Sequence, residues 1–269
     1  MSINASERTF NFTSKIYCLL NELMRLLDKK ISIIFLLFIV SSTGCVYLRL
    51  LKVKRQLNDF ENNFELNHQN GLKFVFKNPV LLSDDIIWLM KNDPLSREQT
   101  GNGETWVYVL EKQYLDDNTD KVNYDIPIRF YVRDDKLVEM IFPERFLKNL
   151  SKPLLIKLLG SMGKSEISKS ARSAGTEFKG SNPDEIPKKR YIISVLGKPY
   201  KDEITDHTQT FTYLYNLKKS DMAKEDDQFD LKMTFSFGDD NDSLEKAEYN
   251  FNGLSMSLRL VTEEDGSNE

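Results

Sequence analysis

Apolar and polar residues alternate with a period of two along three stretches of the C-terminal half. Phe211, Tyr213, Tyr215 and Leu217 share one side, against Thr210, Thr212 and Asn216. Phe229, Leu231, Met233, Phe235 and Phe237 stand against Lys232, Thr234 and Ser236. Leu254, Met256, Leu258 and Leu260 stand against Ser255, Ser257 and Arg259. Successive strand side chains point to opposite faces, so the pattern predicts a half-buried antiparallel sheet with one wet face. The stretch GDDNDS at 238–243 predicts the hairpin turn between two of these strands. Helical spacing occurs at Ile86, Ile87 and Met90, with Ser83 and Asp84 as N-cap candidates and Pro94 as the stop. A second helix is predicted to open at Pro187 and close at Gly197 and Pro199.

These elements repeat. IIWLMKNDP (86–94) parallels YIISVLGKP (191–199), and ETWVYVL (104–110) parallels QTFTYLY (209–215). Pro94 maps to Pro199, Trp106 to Phe211, Tyr108 to Tyr213 and Phe130 to Phe235, always at an offset of 105 (199 minus 94). Asp134 and Asp135 land on Asp239 and Asp240 at the same spacing, which points to a duplication. The fold class expected is α+β: two tandem modules, each a helix packed on a three- to four-stranded antiparallel sheet. They follow an N-terminal signal or membrane segment. The boundaries read as an N-terminal extension with signal or anchor (1–45), a tether (46–70) and a first module (71–148). A connecting helix and linker (149–182), a second module (183–261) and a disordered tail (262–269) complete the chain.

Val195-Leu196-Gly197-Lys198-Pro199, Phe211-Thr212-Tyr213 and the closing EYNFNG at 248–253 carry a family likeness. On these motifs the region from about Leu72 to Leu260 resembles the SmpA/OmlA (BamE-like) outer-membrane lipoproteins. It is also similar to the tandem β-lactamase inhibitory proteins built on the same module. The first copy keeps Pro94 and Trp106-Val107-Tyr108 but lacks the Leu-Gly pair. The resemblance implies a binding or scaffold role without catalysis.

The N-terminal segment bears on the compartment. Ile31 to Leu48 is uncharged, opened by Lys29-Lys30 and closed by Arg49. A typical span needs about 20 apolar residues, yet Ser41, Ser42, Thr43 and Gly44 interrupt this run before Cys45. Basic, then apolar, then small residues is the order of a secretory signal. The Ser-Ser-Thr-Gly-Cys ending resembles the lipobox of bacterial lipoproteins, which implies lipidation of Cys45 and cleavage before it. Ser42 departs from the leucine usual at that position. Arg49, Lys52, Lys54 and Arg55 follow at once, a cluster more usual beside an uncleaved span on its cytoplasmic side. Both readings stand: a lipid-anchored envelope protein facing the periplasm, or a single-pass inner-membrane protein spanning at 31–48.

Composition removes several classes. With 37 Lys and Arg against 41 Asp and Glu, the chain lacks the basic surplus of a nucleic-acid binder. The only cysteines are Cys18 and Cys45, so the body can build no disulfide framework or zinc cluster. GSMGKS (160–165) fails as a phosphate loop, since the pattern needs glycine where Leu158 stands. DDND (239–242) fails as a calcium loop, whose sixth and twelfth places hold Leu244 and Asn250. His68 and His207 form no metal-ligand spacing, and no G-x-S-x-G elbow occurs. No enzyme activity, cofactor or metal is expected.

What remains is binding. Strand alternation places Val107, Val109, Arg129 and Tyr131 of the first copy on the wet face, with Thr212, Leu214, Lys232, Thr234 and Arg259 of the second. Val, Tyr and Arg at exposed positions favour interfaces. The function expected is a protein-binding lipoprotein of envelope assembly or maintenance. The alternative is a periplasmic inhibitor or immunity protein that blocks an enzyme or toxin.

Overall fold

The alternating stretches form strands in the computed structural model, which describes residues 46–67, 71–115, 122–147, 152–168, 172–180, 186–205, 208–219, 229–238 and 242–262. Cys45, His68, His207 and the tail from residue 263 lie outside the described residues, as does the apolar run up to residue 45. The chain divides into two compact units, Met1–Arg49 and Leu50–Glu269, and the sheet belongs to the second.

Helix α1 covers 46–58, followed by the short α2 (Phe60–Asn63) and strands β1 (Phe64–Asn67) and β2 (Leu72–Phe76). Helix α3 (Ser83–Met90) leads into β3 (Ser96–Thr100), β4 (Gly103–Lys112), β5 (Ile126–Arg133) and β6 (Lys136–Phe142). A 3-10 turn (Glu144–Leu147), α4 (Lys152–Gly163), β7 (Glu166–Ser168) and β8 (Ser173–Gly180) come next. Helix α5 (Lys189–Leu196) then leads into β9 (Lys201–Thr205), β10 (Thr208–Leu217) and β11 (Leu231–Gly238). Strands β12 (Leu244–Phe251) and β13 (Leu254–Thr262) close the series.

The repeat extends to individual hydrogen bonds. Leu95 N donates to Val107 O and Tyr200 N to Thr212 O, both at 2.8 Å. The Lys112 amide donates to Asp125 Oδ1, and the Leu217 amide to Asp230 Oδ2. The Tyr108 hydroxyl donates to Asn92 O and that of Tyr213 to Gly197 O, each at 3.0 Å. Each pair keeps the offset of 105, so local sequence sets local wiring in both copies.

The expected division into two separate helix-on-sheet modules does not hold. Thirteen strands form one mixed sheet in the order β1-β2-β6-β5-β4-β10-β11-β12-β13-β8-β7, with β3 beside β4 and β9 beside β10. The physical reason lies at the edges. A three-stranded meander standing alone would leave the backbone groups of its first strand unpaired. Here β4 and β10 satisfy each other, pairing antiparallel through Leu110↔Leu217, Glu111↔Asn216 and Lys112↔Tyr215. Asn216 lies 105 residues after Glu111, so the central pair joins a position to its own repeat. The junction is a local pseudo-two-fold, an isologous contact within one chain. Gln113 N to Leu214 O and Lys218 N to Val109 O extend it symmetrically. Residues outside the repeats add further strands. β1 and β2 extend the β6 side, and β8 runs parallel to β13 from Ser173↔Ser255 to Gly180↔Thr262.

One face of the sheet is sealed. Trp106, Tyr108, Leu110, Phe130, Phe211, Tyr213, Tyr215 and Phe235 are buried on it. Ile86 and Met90 of α3, Leu154 and Leu155 of α4, and Ile192, Val195 and Leu196 of α5 complete the same core. Leu50, Val53 and Leu57 of α1 pack against that core at helical spacing. Helix α4 approaches α1 closely because residue 163 is glycine: a Cβ there would sit 2.4 Å from Asn58 N.

The polar centre of this sealed side is the end of α5. Lys112 occupies an inward position of β4 and is 6% exposed. Its Nζ donates to Leu196 O and Lys198 O, both at 2.6 Å. Arg145 donates through Nε to Val195 O and through Nη2 to Tyr124 O and Asp125 O. A helix C-terminus carries unpaired carbonyls and partial negative charge, and cations of the first copy satisfy both here in the second. Gly197 (φ +74°) ends the helix, and a Cβ on it would lie 2.5 Å from the Tyr124 ring and 2.8 Å from Lys112 Nζ. A reciprocal contact runs the other way. Asn252, in the β12–β13 turn, donates to Leu89 O and Met90 O at the end of α3.

Lys112→Met keeps the apolar stem but strands two buried carbonyls. It should lower unfolding stability by roughly 2–4 kcal/mol in urea titration, and an unchanged midpoint would contradict the clamp. The two central tyrosines should part company. Tyr213→Phe loses the bond to Gly197 O and should cost about 1 kcal/mol. Tyr215 Oη is buried without a hydrogen-bond partner among the described residues, so Tyr215→Phe should be neutral or stabilising in the same titration.

Candidate binding face

No described helix covers the second face of the sheet. Across β10–β11–β12–β13–β8 its side chains sit in register. Thr212 pairs with Thr234, Thr234 with Glu248, Glu248 with Ser257, and Ser257 with Gly175. One row over, Leu214 pairs with Lys232, Lys232 with Asn250, Asn250 with Ser255, and Ser255 with Ser173. Short side chains beside long ones leave a shallow groove of about 480 Å³. Its floor is Thr234, Ser255, Ser257, Ser173 and Gly175, and its walls are Lys232, Glu248 and Asn250. A Cβ on Gly175 would lie 3.2 Å from Ser257 Oγ, which keeps the floor low at that point. Asn250 Nδ2 donates to Ser255 Oγ at 2.9 Å, and Lys246 pairs with Glu248 at 2.9 Å.

Of the residues singled out from sequence, Lys232 and Thr234 line this groove, and Thr212 sits beside Thr234 on the next strand. Arg259 is exposed beyond the groove, in register with Lys246 and Glu177. Leu214 points to the same side but is buried, at 6% exposure. In the first copy Val107 and Val109 are half-buried and Arg129 is exposed directly opposite Val107. Tyr131 donates its hydroxyl toward Thr100 O and Asn102 Oδ1, both at 3.1 Å, and so ties down the β3–β4 turn. Because β4 and β10 are paired, all of these belong to one continuous face. They do not form one cluster.

Sequence reasoning missed the β8 contribution. Ser173 and Gly175 lie in a stretch read as a linker, and parallel pairing with β13 is long-range. The alternation Ala174, Thr176, Phe178 against Ser173, Gly175, Glu177, with Phe178 buried, was the available signal.

The face offers hydrogen-bonding hydroxyls and charged side chains. The exposed Lys218 is raised by its hydrogen bond to Glu111, and the other shifted groups sit in the sealed layer. Burial pushes the phenols of Tyr191 and Tyr249 up to about 12, and raises those of Tyr108, Tyr213 and Tyr215 as well. Burial also lowers the Arg145 guanidinium. Among the described residues no group of His, Cys, Asp or Glu could hold a metal ion, and no described helix is long and apolar enough to cross a membrane. No family model matches the chain, and no curated protein or solved structure matches it.

The raised phenols set a direction for pH. The folded state favours the protonated tyrosines, so their stabilisation is complete below the ordinary value near 10 and is lost as pH rises through the folded values. Stability should stay level up to about pH 10 from these groups and then fall. Phenolate absorbance of the buried tyrosines should rise only with unfolding. Titration of all 11 tyrosines in one reversible step near 10, with the fold intact, would contradict their burial.

Proposed function

We propose that this chain is a membrane-anchored, non-catalytic binding protein of the bacterial cell envelope that grips a protein partner on the open face of its sheet. The observation that carries this reading is the asymmetry of the sheet. One face is closed by helices and a continuous core, and the other presents a broad hydroxyl-lined groove between charged rims. A rigid, preorganised surface limits the entropy lost on association. Its mixture of small polar floor and charged rim suits a protein segment with satisfied hydrogen bonds at its edges. The partner's identity separates envelope assembly from inhibition of an enzyme or toxin.

A photoreactive residue at Thr234 or Ser257 should capture the same protein in intact cells, while one at the exposed Arg190 of α5 should not. Capture at the groove no stronger than at Arg190 would remove the reading. The anchor has its own check: metabolic labelling with a palmitate analogue should mark the wild type and not Cys45→Ser. Equal labelling of both, or of neither, would count against lipidation.

A further inference from the structure

Helices α1, α4 and α5 carry bases and no acids in a chain that is acidic overall, and two of them are neighbours. Residues 46–58 carry Arg49, Lys52, Lys54 and Arg55 without one acid, and 152–164 carry Lys152, Lys157 and Lys164 without one acid. The full chain has 41 acids to 37 bases, so the remainder is strongly negative. The structure packs these two segments together. Gly163 of α4 meets Leu57 and Asn58 of α1, and Gly160 faces Leu57 O. Leu50, Val53 and Leu57 turn inward to the core, whereas Lys52 and Arg55 are exposed. On α4, Leu154 and Leu155 are buried while Lys152, Lys157 and Lys164 are exposed.

We propose that the α1–α4 helix pair is a docking surface for anionic phospholipid headgroups. The choice of lipid over another polyanion comes from position. The uncharged run of 31–48 leads straight into α1, and Leu50, two residues later, already packs on the core. Lys52 and Arg55 follow that run by only four and seven residues, so an anchor at 31–48, or a lipid on Cys45, keeps them near the bilayer by chain length alone. This step rests on the anchor reading above. Basic residues beside an apolar anchor gain affinity from an anionic leaflet, and the gain falls with salt. With the helix layer against lipid, the open sheet face is directed away from the membrane.

The test is vesicle partitioning of the full chain, with zwitterionic vesicles and with vesicles containing phosphatidylglycerol, at low and high salt. Anchor-driven binding occurs with both compositions and resists salt. Headgroup docking should add a component that needs the anionic lipid and disappears at high salt. The triple variant Lys52→Gln/Arg55→Gln/Lys164→Gln should reduce that component about a hundredfold at low salt, at about fivefold per base. Lys52→Glu/Arg55→Glu/Lys164→Glu, which adds repulsion, should reduce it further. Equal partitioning of the wild type into both compositions overturns the inference whatever the anchor does. Binding to anionic vesicles alone supports it and removes the anchor reading instead. Binding of a soluble DNA duplex as tightly as the anionic vesicles overturns lipid as the occupant.

Discussion

The buried Lys112 and the half-buried Arg145 at the end of α5 hold the two halves of this protein in one piece. Lys112 and Arg145 come from the first repeat, and the carbonyls of Val195, Leu196 and Lys198 that they satisfy come from the second. A desolvated ammonium is costly unless its donors are occupied. The Lys112 side chain has the α5 carbonyls and the rings of Tyr114, Tyr124 and Tyr213 around it, at 4.7 to 5.4 Å from Nζ. Separating the halves would expose the α5 carbonyls and unseat both cations together. The clamp lies directly behind the β4–β10 junction, so strand pairing and helix capping reinforce each other.

From that junction follows the division of labour between the two faces. Pairing β4 with β10 through Glu111 and Asn216 fuses two meanders into one surface wider than either. The sealed side gathers the aromatic residues, with edge-to-face pairs such as Tyr108–Phe130 and its counterpart Tyr213–Phe235. The other side carries threonines, serines and charges around the groove, with Val107, Val109 and the buried Leu214 nearer the junction. Duplication followed by edge fusion therefore yields one wide open face from a small repeated motif, with the helices on the other side.

Much of this was legible in the sequence, because period-two alternation and helix punctuation are local. Phe211, Tyr213 and Tyr215 fell on the buried face as their spacing requires, and the strands of both copies keep the 105-residue offset. What was not legible is pairing between distant segments. Nothing local to Glu111 says that Asn216 lies opposite, and nothing in Ser173-Ala-Gly names β13 as its neighbour. Two separate modules were expected because the edge of β4 cannot be seen to need a partner until the sheet is assembled. One clue stood in plain view: in the series Trp106, Tyr108, Leu110, Lys112, the lysine takes an inward position. An inward lysine on a strand implies a cluster of acceptors elsewhere in the fold. The groove was half visible, since Lys232 and Thr234 were placed on the wet face while its β8 wall was not.

Native-state amide exchange across the junction is the most direct test that the two repeats form a single cooperative sheet. Residues 110–112 and 215–217, together with the flanking strands β5 and β11, should open with one common free energy. Loss of protection in β4 and β5 while β10 and β11 remain protected would show two independent modules and contradict the account.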